Sequence, residues 1–467
     1  MLPICNRSAA LGILIALMLP EVQMAAPESA DFIIQAKYVI TMDQQHRVIA
    51  PGAVAIKGDR IVAVGSPSEV AERYTSKRTI DRPNALLMPG MIDTHTHAPM
   101  SLLRGIADDK KLDDWLTHYI FPAESKNVTA EFVRWGTRLA CLEMIHAGIT
   151  TYADMYYFED VEAETAKEAG VRGVLGQTVI GFPAPDYKSW KDAIAGTEKF
   201  MQKYEHDELI TPAVAPHAIY TTPDEALLAA HDLAGKYSMP LLIHLAETQK
   251  ERDDSLTKRN MSPTQVLEKL GLLDGRVVAA HAVWEDDNDL QILLKHRTGV
   301  AHCPSSNTKL ASGVARVVDM LNLGISVGLG TDGFAGSNDS ADLVREMDLA
   351  AKLQKVTRMD PTVLPAEQAL EMATIGGARV LGMQGQIGSI EEGKKADLVT
   401  MSLSQSNAYP LYNLYSHIVY SAQASEVEDV FINGKQVMAE HVVGTLNAPE
   451  IYKRAEEYGK QVAASLR

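Results

Sequence analysis

Two histidines one residue apart, His95 and His97, end an apolar run in Pro89-Gly-Met-Ile-Asp-Thr-His-Thr-His97. In an extended strand, residues i and i+2 share a face, so both imidazoles can reach one cation. Imidazole nitrogen suits zinc and neighbouring divalent ions, and a catalytic site needs further ligands from elsewhere in the fold. The chain offers them in three other places. Leu241-Leu-Ile-His244-Leu-Ala-Glu247 carries a histidine at the end of an apolar segment and a glutamate three residues on. Val277-Val-Ala-Ala-His281 ends in another histidine, and Val327-Gly-Leu-Gly-Thr-Asp332-Gly supplies an aspartate. Alone, Asp332 before Gly333 reads as a turn residue and Glu247 as a helix-start charge. Together, at the ends of successive apolar strands, these groups read as a metal site.

The elements that must position them alternate. Apolar strands are expected at Leu86–Ile92, Thr150–Met155, Gly173–Val179, Ile210–Ala215, Leu241–His244, Val277–Ala280, Gly299–His302 and Ser326–Gly330. Helical stretches such as Ala130–His146, Asp224–Tyr237 and Pro263–Leu270 separate most of them. Eight such strands predict an α/β fold, a (β/α)8 TIM-type barrel whose active site lies on loops after the strand C-termini. Short strands with tight turns precede it (Phe32–Ile34, Tyr38–Ile40, Val54–Ile56, Arg60–Val64), and the texture returns at Ala396–Thr400 and Val427–Gly434. Both chain ends are therefore expected to build one small β-sandwich domain. The expected organisation is a leader over 1–30, small-domain parts over 31–88 and 388–445, the barrel over 89–387, and a C-terminal helix over 446–467.

Composition narrows the partner. A chain of 467 residues with 46% apolar content can bury a large core. Its net charge of −16 argues against nucleic acid and suits a small-molecule substrate. Three cysteines, one of them (Cys5) in the expected leader, leave no disulfide framework and no four-thiolate zinc site. The apolar stretch from Ala9 to Leu19 is too short to span a bilayer and fits the core of a signal peptide. An exported protein, periplasmic or secreted, with no stable membrane insertion of the mature chain, is the expectation.

At this point the chain resembles the amidohydrolase superfamily, from residue 31 nearly to the end. Pro89–His97, His244-Leu-Ala-Glu247-Thr, His281 and Gly330-Thr-Asp332-Gly look like its aminohydrolase branch. Binuclear members bridge two metals with a modified lysine near strand four. Thr211-Pro-Ala-Val-Ala-Pro-His217 has none, so the resemblance implies one divalent ion, zinc first with iron or manganese compatible, held by His95, His97, His244 and Asp332.

Further motifs are similar to the 5′-methylthioadenosine/S-adenosylhomocysteine deaminases: Met100-Ser-Leu-Leu-Arg-Gly-Ile-Ala-Asp-Asp109, Asp114-Trp115-Leu, Phe121-Pro-Ala-Glu124 and Ala215-Pro-His217-Ala-Ile-Tyr220. Carried over residue by residue, Glu124 accepts hydrogen bonds from ribose hydroxyls, His217 contacts the sugar and Trp115 packs near the nucleoside. The resemblance also implies a homo-oligomer. Relatives that favour S-adenosylhomocysteine bind its carboxylate with arginines around strand three. Gly173–Lys188 contains none, and Lys188 lacks arginine's bidentate fork, so a neutral 5′ group is favoured.

The implied reaction is hydrolytic loss of the adenine 6-amino group. Asp332 takes a proton from water, His281 orients the nucleophile, and Glu247 contacts the substrate and protonates the ring nitrogen beside the attacked carbon. His302 and Asn307 either line the site or brace a loop. Two other readings stay open: hydrolysis of another aromatic amine or chloride, as on an s-triazine, and a non-catalytic nucleoside- or metal-binding protein.

Overall fold

The computed structural model describes residues 26–466, so residues 1–25 of the expected leader lie outside the described residues. Eight parallel strands form the catalytic-type barrel. Seven of them are Met91–His97, Ile149–Tyr156, Arg172–Val179, Ile210–Pro216, Leu241–Leu245, Val277–His281 and Gly299–His302. The eighth is broken into Val327–Leu329 and Asp332–Gly333, and the break closes the ring. Its first piece pairs with the seventh strand at Val300 and Val327, and its second with the first strand at Thr96 and Asp332. Side chains seal the seam: Thr94 Oγ1 donates to the Leu329 carbonyl (2.8 Å), and Asp93 accepts from the Thr331 N–H (3.0 Å).

Strand periodicity sorts the side chains. Ile92, Ala153, Val174, Ala213, Leu242, Val278 and Ala301 pack together inside the barrel. Their alternates Tyr152, Leu175, Val214, Ile243, Ala279 and Val300 face the helices. The helices Ala130–His146 and Asp224–Tyr237 occupy the expected ranges, and Pro263–Lys269 stops one residue early. Each start is chemically marked. Thr129 accepts the Phe132 N–H, and Ser262 forms a capping box with Gln265 around a first-turn proline.

The strand expected at Leu86–Ile92 is two strands. Thr79–Pro89 belongs to the small sheet, and Met91–His97 opens the barrel. Gly90 joins them where a Cβ would lie 2.1 Å from Thr150 Oγ1. The residues flanking it, Ala85–Pro89 and Met91–Thr96, are all buried, so burial runs unbroken across the junction and only Pro-Gly marks it.

The small domain is one nine-stranded sheet drawn from both chain ends, joined where Thr79–Pro89 pairs antiparallel with Leu398–Ser402. The segments read as Phe32–Ile34 and Tyr38–Ile40 are a single nine-residue strand with a register shift at Ala36/Tyr38. In a flat sheet, strands three places apart sit roughly 14 Å from each other, from a spacing of about 4.8 Å. The Phe32 and Phe431 rings, three places apart, centre at 5.3 Å, so the sheet folds over itself and supplies both layers. The folded region starts before residue 31, because Glu28–Ala30 pairs in parallel with Tyr74–Ser76. A C-terminal helix, Ala448–Ser465, lies along Ala130–His146, where Tyr458 meets Phe132 ring to ring.

Candidate metal centre and active site

All the groups singled out at strand ends reach one rim of the barrel. His95 and His97 point from the first strand with ring centroids 5.0 Å apart, and His244 lies 5.0 Å from His95. Backbone carbonyls fix the tautomers: His97 Nδ1 donates to Met155 O and His244 Nδ1 to His217 O, both at 2.8 Å. That leaves each Nε2 lone pair free for a ligand role. His281 Nδ1 is held by Asn307 Oδ1 at 3.0 Å.

Asp332 is the focus. Its Oδ1 lies 3.3 Å from His95 Nε2 and 3.2 Å from His97 Nε2, while Oδ2 accepts from Ser306 Oγ at 2.6 Å. One donor atom each from His95, His244, His281 and Asp332 falls within 4.8 Å of the others. His97 stands beside that set through its contact with Asp332, and His281 stands within it rather than outside.

These residues fit a divalent ion. Ligands about 2.0–2.1 Å from a tetrahedral zinc lie roughly 3.3–3.4 Å apart, close to the spacing of Asp332 from both imidazoles. His95 Nε2 is buried and has no hydrogen-bond partner. Protonation is set the same way. Burial, with help from His97, lowers His95 to about 4, and burial takes His244 well below its ordinary value. Burial alone would raise Asp332, but the His95 and His97 imidazoles outweigh it and hold the carboxylate ionised.

Glu247 is opposite in character. Burial first, and the charge of Asp332 second, push its carboxyl up to about 8. Its Oε2 lies 3.9 Å from His281 Nε2. Glu124 is buried across the recess, accepts from Tyr156 OH (2.7 Å) and Tyr157 OH (3.5 Å), and is raised by burial to about 7. His217 Nδ1 pairs with Thr221 Oγ1 at 2.8 Å, and burial lowers this histidine to about 3. Trp115 spends its indole N–H on the Ala335 carbonyl (2.8 Å) and turns its ring to the recess. It sits in a π-helical turn, Trp115–Ile120, a distortion frequent at functional sites.

The rim opens into a recess walled by both polar and apolar side chains. Trp115, Glu124, His217 and Glu247 all line it, together with His97, His244, His281 and Asp332. No arginine or lysine is among its lining residues, and Lys188 is exposed elsewhere. Several participants, Asn307 excepted, carry no recognisable sequence signal. Tyr156 and Tyr157 hold Glu124, and Ser306 and Asn307 hold Asp332 and His281. Asn307 is thus a brace. His302 is buried with neither ring nitrogen partnered.

Comparison with known proteins places this architecture. The amidohydrolase family model matches residues 86–437, and an imidazolonepropionase-like composite domain of bacteria matches residues 52–75. The chain is 44% identical over 440 residues to 5-methylthioadenosine/S-adenosylhomocysteine deaminase 1 of Syntrophus aciditrophicus, covering 94% of this chain and 99% of that one. It is 47% identical over 405 residues to the 5-methylthioadenosine/S-adenosylhomocysteine deaminase of Thermodesulfovibrio yellowstonii, covering 86% and 92%. Among solved structures, a zinc-bound adenosine deaminase from Xanthomonas campestris superposes with a TM-score of 0.92 at 36% identity, over 94% of this chain and all of that one. An atrazine chlorohydrolase from Arthrobacter aurescens shares the fold at 24% identity and a TM-score of 0.84. With the matched model spanning most of the chain and relatives aligned end to end, the chain belongs to the amidohydrolase family, among its 5-methylthioadenosine/S-adenosylhomocysteine deaminases.

Proposed function

We propose that this protein hydrolyses the 6-amino group of adenine nucleosides, releasing ammonia and the hypoxanthine nucleoside. One observation carries the reading: a buried carboxyl that keeps its proton, Glu247, and an ionised one, Asp332, line the same recess. A pair pushed apart in this way divides acid and base roles.

His95, His97, His244 and Asp332 would hold one divalent ion, for which the histidine-rich donor set and the zinc of the Xanthomonas relative favour zinc. Such an ion supplies Lewis-acid activation, lowering the pKa of water from 15.7 to about 7. Asp332 accepts the proton that water loses as its oxygen bonds to C6. His281, fixed through Asn307, orients that water. Glu247 gives its proton to the ring nitrogen beside C6, which lets the ring accept the electron pair. A proton relayed to the exocyclic nitrogen then lets the C–N bond break and ammonia leave. Glu124 accepts from the ribose hydroxyls, His217 meets the sugar and Trp115 covers the base.

A neutral 5′ group fits the recess best, because no cation lines it to pair with an amino-acid carboxylate. Methylthioadenosine, 5′-deoxyadenosine and adenosine are the expected substrates, ahead of S-adenosylhomocysteine. We also propose export, on the apolar core Ala9–Leu19 of the expected leader. N-terminal sequencing of the protein from fractionated cells tests it, and a cytosolic protein with an intact leader would remove it.

The activity test follows the ultraviolet change from adenine to hypoxanthine nucleoside with the zinc-loaded protein. Turnover with methylthioadenosine and weaker kcat/KM with S-adenosylhomocysteine is expected. No turnover of any adenine nucleoside at full metal occupancy would overturn the reading.

A further inference from the structure

Glu251 is a buried carboxyl that the steps above do not use. It sits in the first turn of the helix Gln249–Arg259, with its own N–H on the Thr248 cap at 3.1 Å. Its side chain folds back onto the end of the fifth barrel strand. Oε1 accepts the Ala246 N–H at 3.2 Å, and Oε2 accepts the Glu247 N–H at 2.8 Å. Both carboxyl oxygens are thus spent as acceptors on two consecutive peptide donors.

Those two bonds bracket an unusual backbone. Ala246 has φ 49°, the left-handed conformation that residues with a Cβ avoid. Its carbonyl accepts from the Val283 and Trp284 N–H groups at 3.1 and 2.9 Å, so the peptide is gripped from both sides. The chain bends at Ala246, between His244 and Glu247. Released, Ala246 would relax toward an ordinary conformation and swing the Glu247 side chain off its line.

We propose that Glu251 is a positioning residue for Glu247, holding the left-handed turn at Ala246 that aims the Glu247 carboxyl at the substrate's ring nitrogen. This rests on the deaminase reading. Glu251 touches no substrate atom and acts through the peptide it holds.

A double-mutant cycle separates this role from general support of the fold. Glu251→Gln is isosteric but offers one acceptor, and its amide N–H₂ faces a peptide N–H. It should retain zinc, hold KM, and lower kcat by about 10- to 100-fold, part of what an acid catalyst contributes. In a Glu247→Gln background the same substitution should change kcat by no more than about twofold, because the group it positions is gone. An unchanged kcat, zinc loss, or an equal loss in both backgrounds would overturn the proposal. Should Glu251→Gln not fold, Glu251→Asp, which keeps the carboxyl group but shortens the reach, goes through the same cycle with the same outcomes. Wild-type protein inactive on every adenine nucleoside would remove the deaminase reading and this proposal together. An active wild type with additive losses would remove the proposal alone.

Discussion

Two buried aspartates, one at the barrel rim and one at the junction with the small sheet, are held in opposite ways. Asp397 accepts two bonds from the Arg172 guanidinium (2.9 and 3.2 Å) and one from the Asn433 N–H (2.6 Å). Arg172 also donates through Nη1 to the Glu208 carbonyl at 2.7 Å, so each of its three nitrogens has a partner. Asp332 instead accepts one hydroxyl and faces two imidazoles, one of which has no other partner. Left-handed backbone occurs in both regions, singly at the junction, where Asn433 has φ 50°, and in a cluster at the rim. Ala246, His281, Ala282 and Asp332 all adopt positive φ at the rim. At the rim the acid faces an imidazole short of a partner, whereas at the junction the Arg172–Asp397 pair is matched within itself.

Removing the ion should break this comparison most visibly. Dialysis against a chelator is expected to take activity to background, and added zinc to return it, because the rim donor atoms converge on one point and suit a divalent ion. Activity that survives complete loss of metal, checked by elemental analysis, would mean that the rim geometry serves another purpose.

Glu247→Gln comes next. It should lower kcat by about 10²–10⁴-fold, the usual range for general acid–base catalysis, with metal content and melting temperature unchanged. Metal loss in this variant would make Glu247 a ligand and erase the distinction between its raised carboxyl and the lowered Asp332.

The junction should respond in the other currency. Asp397→Ala strands a buried guanidinium and should cost about 3–5 kcal/mol of stability, as for other broken buried pairs. Urea unfolding measures it. At temperatures where the variant stays folded, kcat/KM should match the wild type. A catalytic defect of the folded variant would show that the junction tunes the rim.

Reading the sequence reached the two regions unequally. Alternation gave the barrel, since inside and outside positions on each strand face different partners, as Ala153 and Tyr152 do. The junction at Gly90 was hidden because the buried residues on either side of it leave no polar break. The broken eighth strand was hidden likewise, since its interruption is made by side-chain bonds from Asp93 and Thr94. At the rim, histidine and aspartate at strand ends carry chemistry in their residue type. Tyr156, Ser306, Asn307 and Glu251 act through what they touch, and three of these partners lie more than twenty residues away in sequence. Asp397 was legible only as a residue of a late strand, because its cation comes from a strand 225 positions earlier.

The smallest expected effect is in the pH dependence of kcat/KM, where two carboxyls at the rim are raised by burial and work in opposite states. Glu124 must be ionised to accept from ribose hydroxyls, and both tyrosine hydroxyls that reach it donate, which favours that form. Its carboxyl, at about 7, gives a limb that rises with pH. Glu247 must keep its proton, and its value of about 8 gives a limb that falls as pH rises further. The profile should therefore be a bell with a narrow top between the two values, falling about tenfold per pH unit beyond each limb. Glu124→Gln, which accepts without titrating, should flatten the acidic limb and leave the alkaline one in place. Loss of the alkaline limb in that variant would assign the proton donor to Glu124, and a junction variant such as Asp397→Ala should leave both limbs where they are.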